Sequence, residues 1–150
     1  ISGTAWALLK HPKQLSLVKS GQCTWLQAFE EFGRWISPIG MSPRRVDKSY
    51  TYNGIIFEPE DRVFFMFGSA NRDEAVFDYP ENYNIKRDNS PSITFGAGPH
   101  FCAGAWVSRT LIADVALPML FAKFPDLRLT EEVTFTGWAF RGPKSVMVKL

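Results

Sequence analysis

Phe95 to Gly104, FGAGPHFCAG, packs three glycines, a proline and one of the chain's two cysteines into ten residues, directly ahead of a long helical pattern. Neither a helix interior nor a central strand tolerates that composition, so the stretch must be a tight loop feeding a helix. The helix is expected from about Ala103 to Phe124, bent or divided at Pro118. Gly96, Gly98 and Gly104 remove side chains on both sides of Cys102, so backbone can approach a large flat group or take positive φ. A sulfur at the mouth of a helix faces unpaired N–H groups and the positive end of the dipole, which suits a ligand or a nucleophile.

The chain ahead of this loop is punctuated. ISGTAWALLKHP opens in a helical pattern, with Ile1, Ala5, Leu8 and Leu9 on one side, no initiating Met and no preceding cap. It reads as the C-terminal fragment of a longer chain. Pro12 stops the first helix near His11 and starts a second over residues 13–20. In TWLQAFEEFGRWI, Thr24 and Gln27 form a capping box, and Trp25, Phe29, Phe32 and Ile36 recur on one face. That helix ends at Pro38 and Gly40. Short strands follow around Asn53-Gly54, a two-residue hairpin turn, and DRVFFMFGSANRD suits either a strand or a short helix. Residues 73–92 read as a long irregular segment, Ser92–Phe95 as a short strand, and the tail as strands turning at Gly142-Pro143. The fold class is therefore mainly α with small β elements.

Composition closes off several functions. With 45% hydrophobic residues and 150 positions the chain supports one domain with a real core. A net charge of +2 spread over both signs gives no basic stripe for nucleic acid. Two cysteines make no disulfide framework, no uninterrupted apolar run spans a bilayer, and no signal peptide is visible, so a soluble, cytoplasmic setting without a membrane partner is expected. A buried core thiol is the plain reading of an isolated cysteine, and Cys23 takes it. At Cys102 sharper readings compete. The strand, GAG, helix order suggests a dinucleotide loop, but Phe101 fills the third small position and no ribose-binding acid follows. His11, Cys23, His100 and Cys102 lack the close pairs of a zinc site. A cysteine nucleophile has His100 only two residues away and no third orienting group.

The fourth reading is iron. FGAGPHFCAG matches the F-G-x-G-x-H-x-C-x-G signature of the cytochrome P-450 family, the haem-thiolate monooxygenases. Glu31 and Arg34 supply E-x-x-R upstream, Arg44 follows at the usual distance, and ANRD precedes the irregular segment. The chain resembles the C-terminal, haem-binding part of a soluble bacterial member over essentially its whole length.

The resemblance implies haem b, iron protoporphyrin IX, with Cys102 as its proximal metal ligand. It implies that Gly96, Gly98 and Gly104 open the loop to the sulfur, that Phe95 shields it, and that Arg44 and His100 meet the haem propionates. Glu31 and Arg34 lie opposite the apolar stripe, so helical pattern alone makes them an exposed pair; the resemblance makes them buried, with Asn82 of PENY where an arginine often completes the network. No residue here is assigned a catalytic role, because the family's acid and alcohol pair would lie before Ile1, and the chain alone is expected not to turn over substrate. The implied partners are dioxygen, a small organic substrate, and a ferredoxin or flavodoxin-like electron donor drawn to Arg72, Arg87, Arg109 and Lys123. The tail GWAFRGP is similar to that of aromatic O-demethylases acting on methoxyarenes, which makes Trp138 and Phe140 pocket candidates beside their plain reading as core. A haem-binding module without catalysis, a sensor or a degenerate fragment, is the alternative.

Overall fold

Pro12 divides the first nineteen residues of the computed structural model, which describes residues 1–150, into helices α1 (Ser2–Lys10) and α2 (Pro12–Lys19). His11 between them takes φ −120° and ψ 72°, the extended geometry that a following proline imposes. The expected one-sided stripe on α1 is corrected: Gly3 through Leu8 are all buried, whereas Ile1 is exposed. The cause is that α2, α3 and two tail strands pack around α1 from several sides. At Gly3 an added Cβ would run into the Phe32 ring, so the two helices approach as closely as the glycine allows.

Helix α3 (Trp25–Ile36) begins at the expected capping box: the Gln27 N–H donates to Thr24 Oγ1 at 3.1 Å and the Thr24 N–H to Gln27 Oε1 at 2.7 Å. It ends at Ser37, which is left-handed at φ 48°. Ala28, Phe32 and Ile36 join Trp6, Leu8, Val18, Cys23, Tyr83, Leu117 and Phe121 in one core. The opposite face is also covered, as the resemblance required and the helical pattern denied.

Glu31 and Arg34 are both 0% exposed. Arg34 Nε donates to Glu31 Oε2 at 2.8 Å and Nη2 to Oε1 at 2.9 Å; the remaining N–H groups reach the carbonyls of Asn71, Pro80 and Asn82 at 2.9, 2.9 and 3.2 Å. The third charged member is not at position 82, which offers only its carbonyl. Arg87 takes that part, with Nε 3.3 Å from Glu31 Oε1 and Nη1 on the Asp78 carbonyl at 2.6 Å. Asn84 N–H also donates to Glu31, at 2.9 Å. The irregular segment 73–92 is thus tied to a helix it never pairs with. Tyr83 adds a hydroxyl donated to the Ala28 carbonyl at 3.0 Å; burial first, and the Glu31 charge second, push its phenol up, so it stays a donor.

Strands β1 (Ser42–Arg45) and β4 (Arg62–Phe65) pair antiparallel, Ser42 opposite Phe65. Between them lies the hairpin β2 (Tyr50–Tyr52) and β3 (Ile55–Phe57), turned by Asn53 and Gly54 at φ 50° and 77°. DRVFFMFGSANRD is both of its options in succession, β4 and then α4 (Phe67–Ala70). In the tail, β5 (Arg128–Leu129) pairs with β8 (Val148–Lys149), and β6 (Phe135–Thr136) with β7 (Gly142–Pro143). Gly142-Pro143 is therefore strand, not turn. The reversal occurs earlier, at Gly137, where φ is 89° and an added Cβ would strike the Phe140 carbonyl.

The long helix Ala105–Lys123 runs unbroken past Pro118. Its middle, Thr110–Ala116, has wide π-type turns immediately ahead of the proline, which relieves the clash its ring would make with the carbonyl four residues back. By length and composition this helix would suffice to cross a membrane. Here Ala113 and Leu117 are buried, and the wide-turn stretch packs on α3.

Arg34→Leu would leave the Glu31 carboxylate without its two closest donors and free the carbonyls of 71, 80 and 82. We expect urea unfolding to show a loss of about 3–5 kcal/mol. Arg45→Leu, which breaks a pair with Glu60 that is mostly exposed on both sides, should cost less than about 1 kcal/mol in the same assay.

Candidate functional site

The loop around Cys102 is built by two left-handed glycines and one backbone hydrogen bond. Gly96 and Gly98 have φ 73° and 63°, and Ala97 between them is extended. That sequence of turns brings the chain back so that the Cys102 N–H donates to the Phe95 carbonyl at 2.8 Å. A single 3-10 turn, Gly98–His100, lies inside, and the Cys102 carbonyl then accepts the Ala105 N–H at 3.1 Å as the long helix begins. Gly104 differs from the other two: its φ is −82°, and an added Cβ would lie 3.7 Å from Cys102 Sγ, in ordinary contact. Conformation demands glycine at 96 and 98 only.

Ser92–Phe95 is not a strand, which corrects the sequence reading. Its polar groups go instead to Asn71, which is fully buried. Asn71 Oδ1 accepts the Ile93 N–H at 2.9 Å and the Ser92 hydroxyl at 3.2 Å, while Nδ2 donates to Ser37 Oγ at 3.0 Å. A side chain thus substitutes for the missing partner strand. Thr94 also fits tightly against α3, where a Cβ at Gly33 would overlap its side chain. Nothing in the spacing of ANRD from the cysteine loop announces this clamp.

Cys23 is buried and Cys102 exposed. Cys102 opens on a cleft of about 540 Å³ that Arg44, Phe95, Gly96 and His100 also line. Gly98 and Gly104 do not line it. Sequence reasoning missed Phe29, Phe67, Ile112 and Arg141, which line it too. Phe29 and Phe67 belonged to apolar patterns that showed only that they face inward. Of the Arg44-Arg45 doublet, strand alternation turns Arg44 inward and Arg45 out toward Glu60. Arg44 Nη1 donates to the Pro43 carbonyl at 2.8 Å, and its guanidinium lies 5.5 Å over the Phe65 ring. Trp138 and Phe140 are neither core nor cleft wall: they are 68% and 77% exposed on the turn between β6 and β7. That turn is laced to residues 38–40 by Gly40 N–H to Ala139 O at 2.9 Å and Arg141 N–H to Pro38 O at 2.8 Å.

The donor set tests what the cleft can hold. No three His, Cys, Asp or Glu side chains gather in the structure, so a metal at Cys102 has at most two protein ligands and must arrive with the rest of its coordination sphere. Aromatic and aliphatic walls suit a flat apolar body, the free thiol suits a soft metal at its centre, and Arg44, His100 and Arg141 suit anionic groups at its edge. These residues fit an iron porphyrin bearing carboxylates.

The four cations assigned to an electron donor are mostly occupied. Arg72 donates to the Trp35 carbonyl at 2.6 Å and to Glu81 at 2.9 Å, Arg87 serves Glu31, and Arg109 pairs with Glu30. Lys123 alone is exposed without an ion pair, 5.5 Å over the Phe124 ring.

The family model for cytochrome P450 matches residues 26–125. The chain is 37% identical over 154 residues to the polyketide biosynthesis cytochrome P450 PksS of Bacillus subtilis, covering 99% of this chain and 38% of that protein. It is 34% identical over 151 residues to cytochrome P450 CYP107DY1 of Priestia megaterium, covering 99% of this chain and 37% of that one. The crystal structure of P450BioI in complex with hexadec-9Z-enoic acid ligated acyl carrier protein superposes with a TM-score of 0.90 at 31% identity, over 99% of this chain and 39% of that chain. The chain therefore spans well under half the length of the proteins it matches.

Asn71→Ala would strip the loop entry of its acceptor and leave the Ile93 N–H unpaired. We expect a loss of about 2 kcal/mol in thermal or urea unfolding. Asn71→Asp, which keeps the acceptor, should recover part of it.

Proposed function

The chain belongs to the cytochrome P450 family, and on that premise we propose that residues 1–150 form the C-terminal, haem-binding portion of a haem-thiolate monooxygenase. The observation that carries this reading is the exposed Cys102 thiol opening on an apolar cleft whose rim holds Arg44 and His100. Haem b, when bound, supplies the activation of dioxygen that places one oxygen atom in an organic substrate, with electrons from a redox partner.

The chain's own residues bind and orient. Cys102 gives the metal its thiolate, fixed in place by the N–H bond to Phe95 and by the two left-handed glycines. Arg44 and His100 hold the carboxylate edge from opposite elements, strand β1 and the 3-10 turn, and Arg141 is a third cation in reach of the cleft. Phe95 and Phe29 form an aromatic wall of the cleft, ring centroids 6.2 Å apart, that offers an apolar surface to a flat group. Proton delivery has no candidate among these residues, and the chain by itself is not expected to complete turnover.

The substrate we propose is a small apolar organic molecule. An aromatic O-demethylase or hydroxylase is the finer reading, supported by the sequence GWAFRGP alone, because Trp138 and Phe140 stand outside the cleft. A ferredoxin or flavodoxin-like domain is the proposed electron donor. With Arg72, Arg87 and Arg109 already paired, its docking should depend on salt less than four free cations would imply.

Carbon monoxide added to the reduced, haem-loaded protein should give the strongly red-shifted Soret band of thiolate ligation, and Cys102→Ser should abolish it. Arg44→Ala and His100→Ala should each weaken haem retention about tenfold, through loss of one charge-assisted hydrogen bond. A wild-type protein that binds haem without the red-shifted band overturns the reading.

A further inference from the structure

Arg109 is placed where a surface ion pair has no reason to be. It lies on the long helix seven residues after Cys102, and its side chain is 25% exposed while that of its partner Glu30 is 19% exposed. Nε donates to Glu30 Oε1, which fixes the guanidinium with its Cζ 4.7 Å from the centroid of the Phe95 ring. Phe29 packs on the same ring at 6.2 Å with a tilt of 48°. The carbonyl of Phe95 in turn accepts the Cys102 N–H at 2.8 Å. Glu30, Arg109, Phe95 and Cys102 are therefore one physical chain of contacts, running from α3 through the long helix to the backbone amide of the cysteine.

We infer that Arg109 is a positioning residue for the thiolate: stacked on Phe95 and held by Glu30, it fixes the ring beside the sulfur and sets the electrostatic potential there. The inference rests on the haem-thiolate reading and adds to it a residue outside the signature. A cation over an aromatic face is attracted by the ring quadrupole, so the stack orients the ring as well as the arginine. The pair is mostly buried, so salt screens it weakly. A unit charge about 10 Å away, with an effective dielectric near 20, is worth about a tenfold change in an equilibrium constant. Arg109 is the charge in direct contact with the Phe95 ring, and its cation favours the electron-gaining state of a metal held by Cys102.

The test is potentiometric titration of the haem-loaded protein. Arg109→Gln should shift the ferric to ferrous equilibrium about tenfold toward ferric, ~59 mV for a one-electron couple. Glu30→Gln should shift it the other way, by a smaller factor, and the double variant should return toward wild type. Arg109→Lys keeps the charge without the flat stack, so it should stay within about threefold of wild type while broadening the Soret band. Potentials that do not move, or single variants that move in the same direction, overturn the inference while a normal carbon monoxide band leaves the thiolate reading intact. A wild type without that band overturns both. Should Arg109→Gln fail to take up haem, Glu30→Gln and Arg109→Lys still decide: an upward shift in the first with retention in the second supports the role, and any other pair of results overturns it.

Discussion

One ion pair organises this chain. A charge taken out of water is costly unless every donor and acceptor on it is used, and the Glu31–Arg34 pair meets that condition closely. Arg34 divides its N–H groups between one carboxylate and three backbone carbonyls drawn from positions 71, 80 and 82. Glu31 collects a second arginine and the amide of Asn84. A segment of about twenty residues with no regular structure thereby acquires a fixed course, without a strand partner and with few core residues of its own. Gln14 of α2 adds a second anchor by bonding both the Tyr83 carbonyl and the Ile85 amide.

From that pair the order passes to the site through Asn71. Its carbonyl receives Arg34, and its side chain receives the chain entering the cysteine loop. The loop then closes on itself between Phe95 and Cys102. The sulfur's position is thus the end of a sequence of hydrogen bonds that begins on α3, and the long helix contributes the wall and Arg109. The site has rigid elements on both sides and is held mainly by polar groups that the core excludes from water.

What could be read in the sequence were the features whose causes are local. Pro12, the Thr24 and Gln27 capping box, Asn53-Gly54 and the glycine loop each act within four or five residues, and each element stood where its residues required. What failed was decided by distant neighbours. Ser92–Phe95 resembles a strand, but its acceptors are on Asn71, some twenty residues earlier. Glu31 and Arg34 occupy the polar side of an amphipathic helix, and only the residues that close over them reveal that side as interior. Arg87 took the role expected at position 82 because loop geometry, not spacing to a proline, decides which guanidinium reaches the carboxylate. Gly96 and Gly98 were legible as conformational glycines, whereas Gly104 looked the same in sequence and carries no such demand.

The wide turns ahead of Pro118 change the phase of the long helix. Its fully buried positions, Ala105, Ala113, Leu117 and Phe121, fall at multiples of four rather than at the ordinary period of about 3.6. Relaxing Thr110–Ala116 to normal pitch at the same length would rotate everything downstream by roughly 100° and swing Leu117 and Phe121 out of the core, and removing one residue at the same time would take most of that rotation back out. The stretch therefore behaves as a phase adjuster, taking up surplus residues between the cysteine loop and the proline while the buried face stays in line.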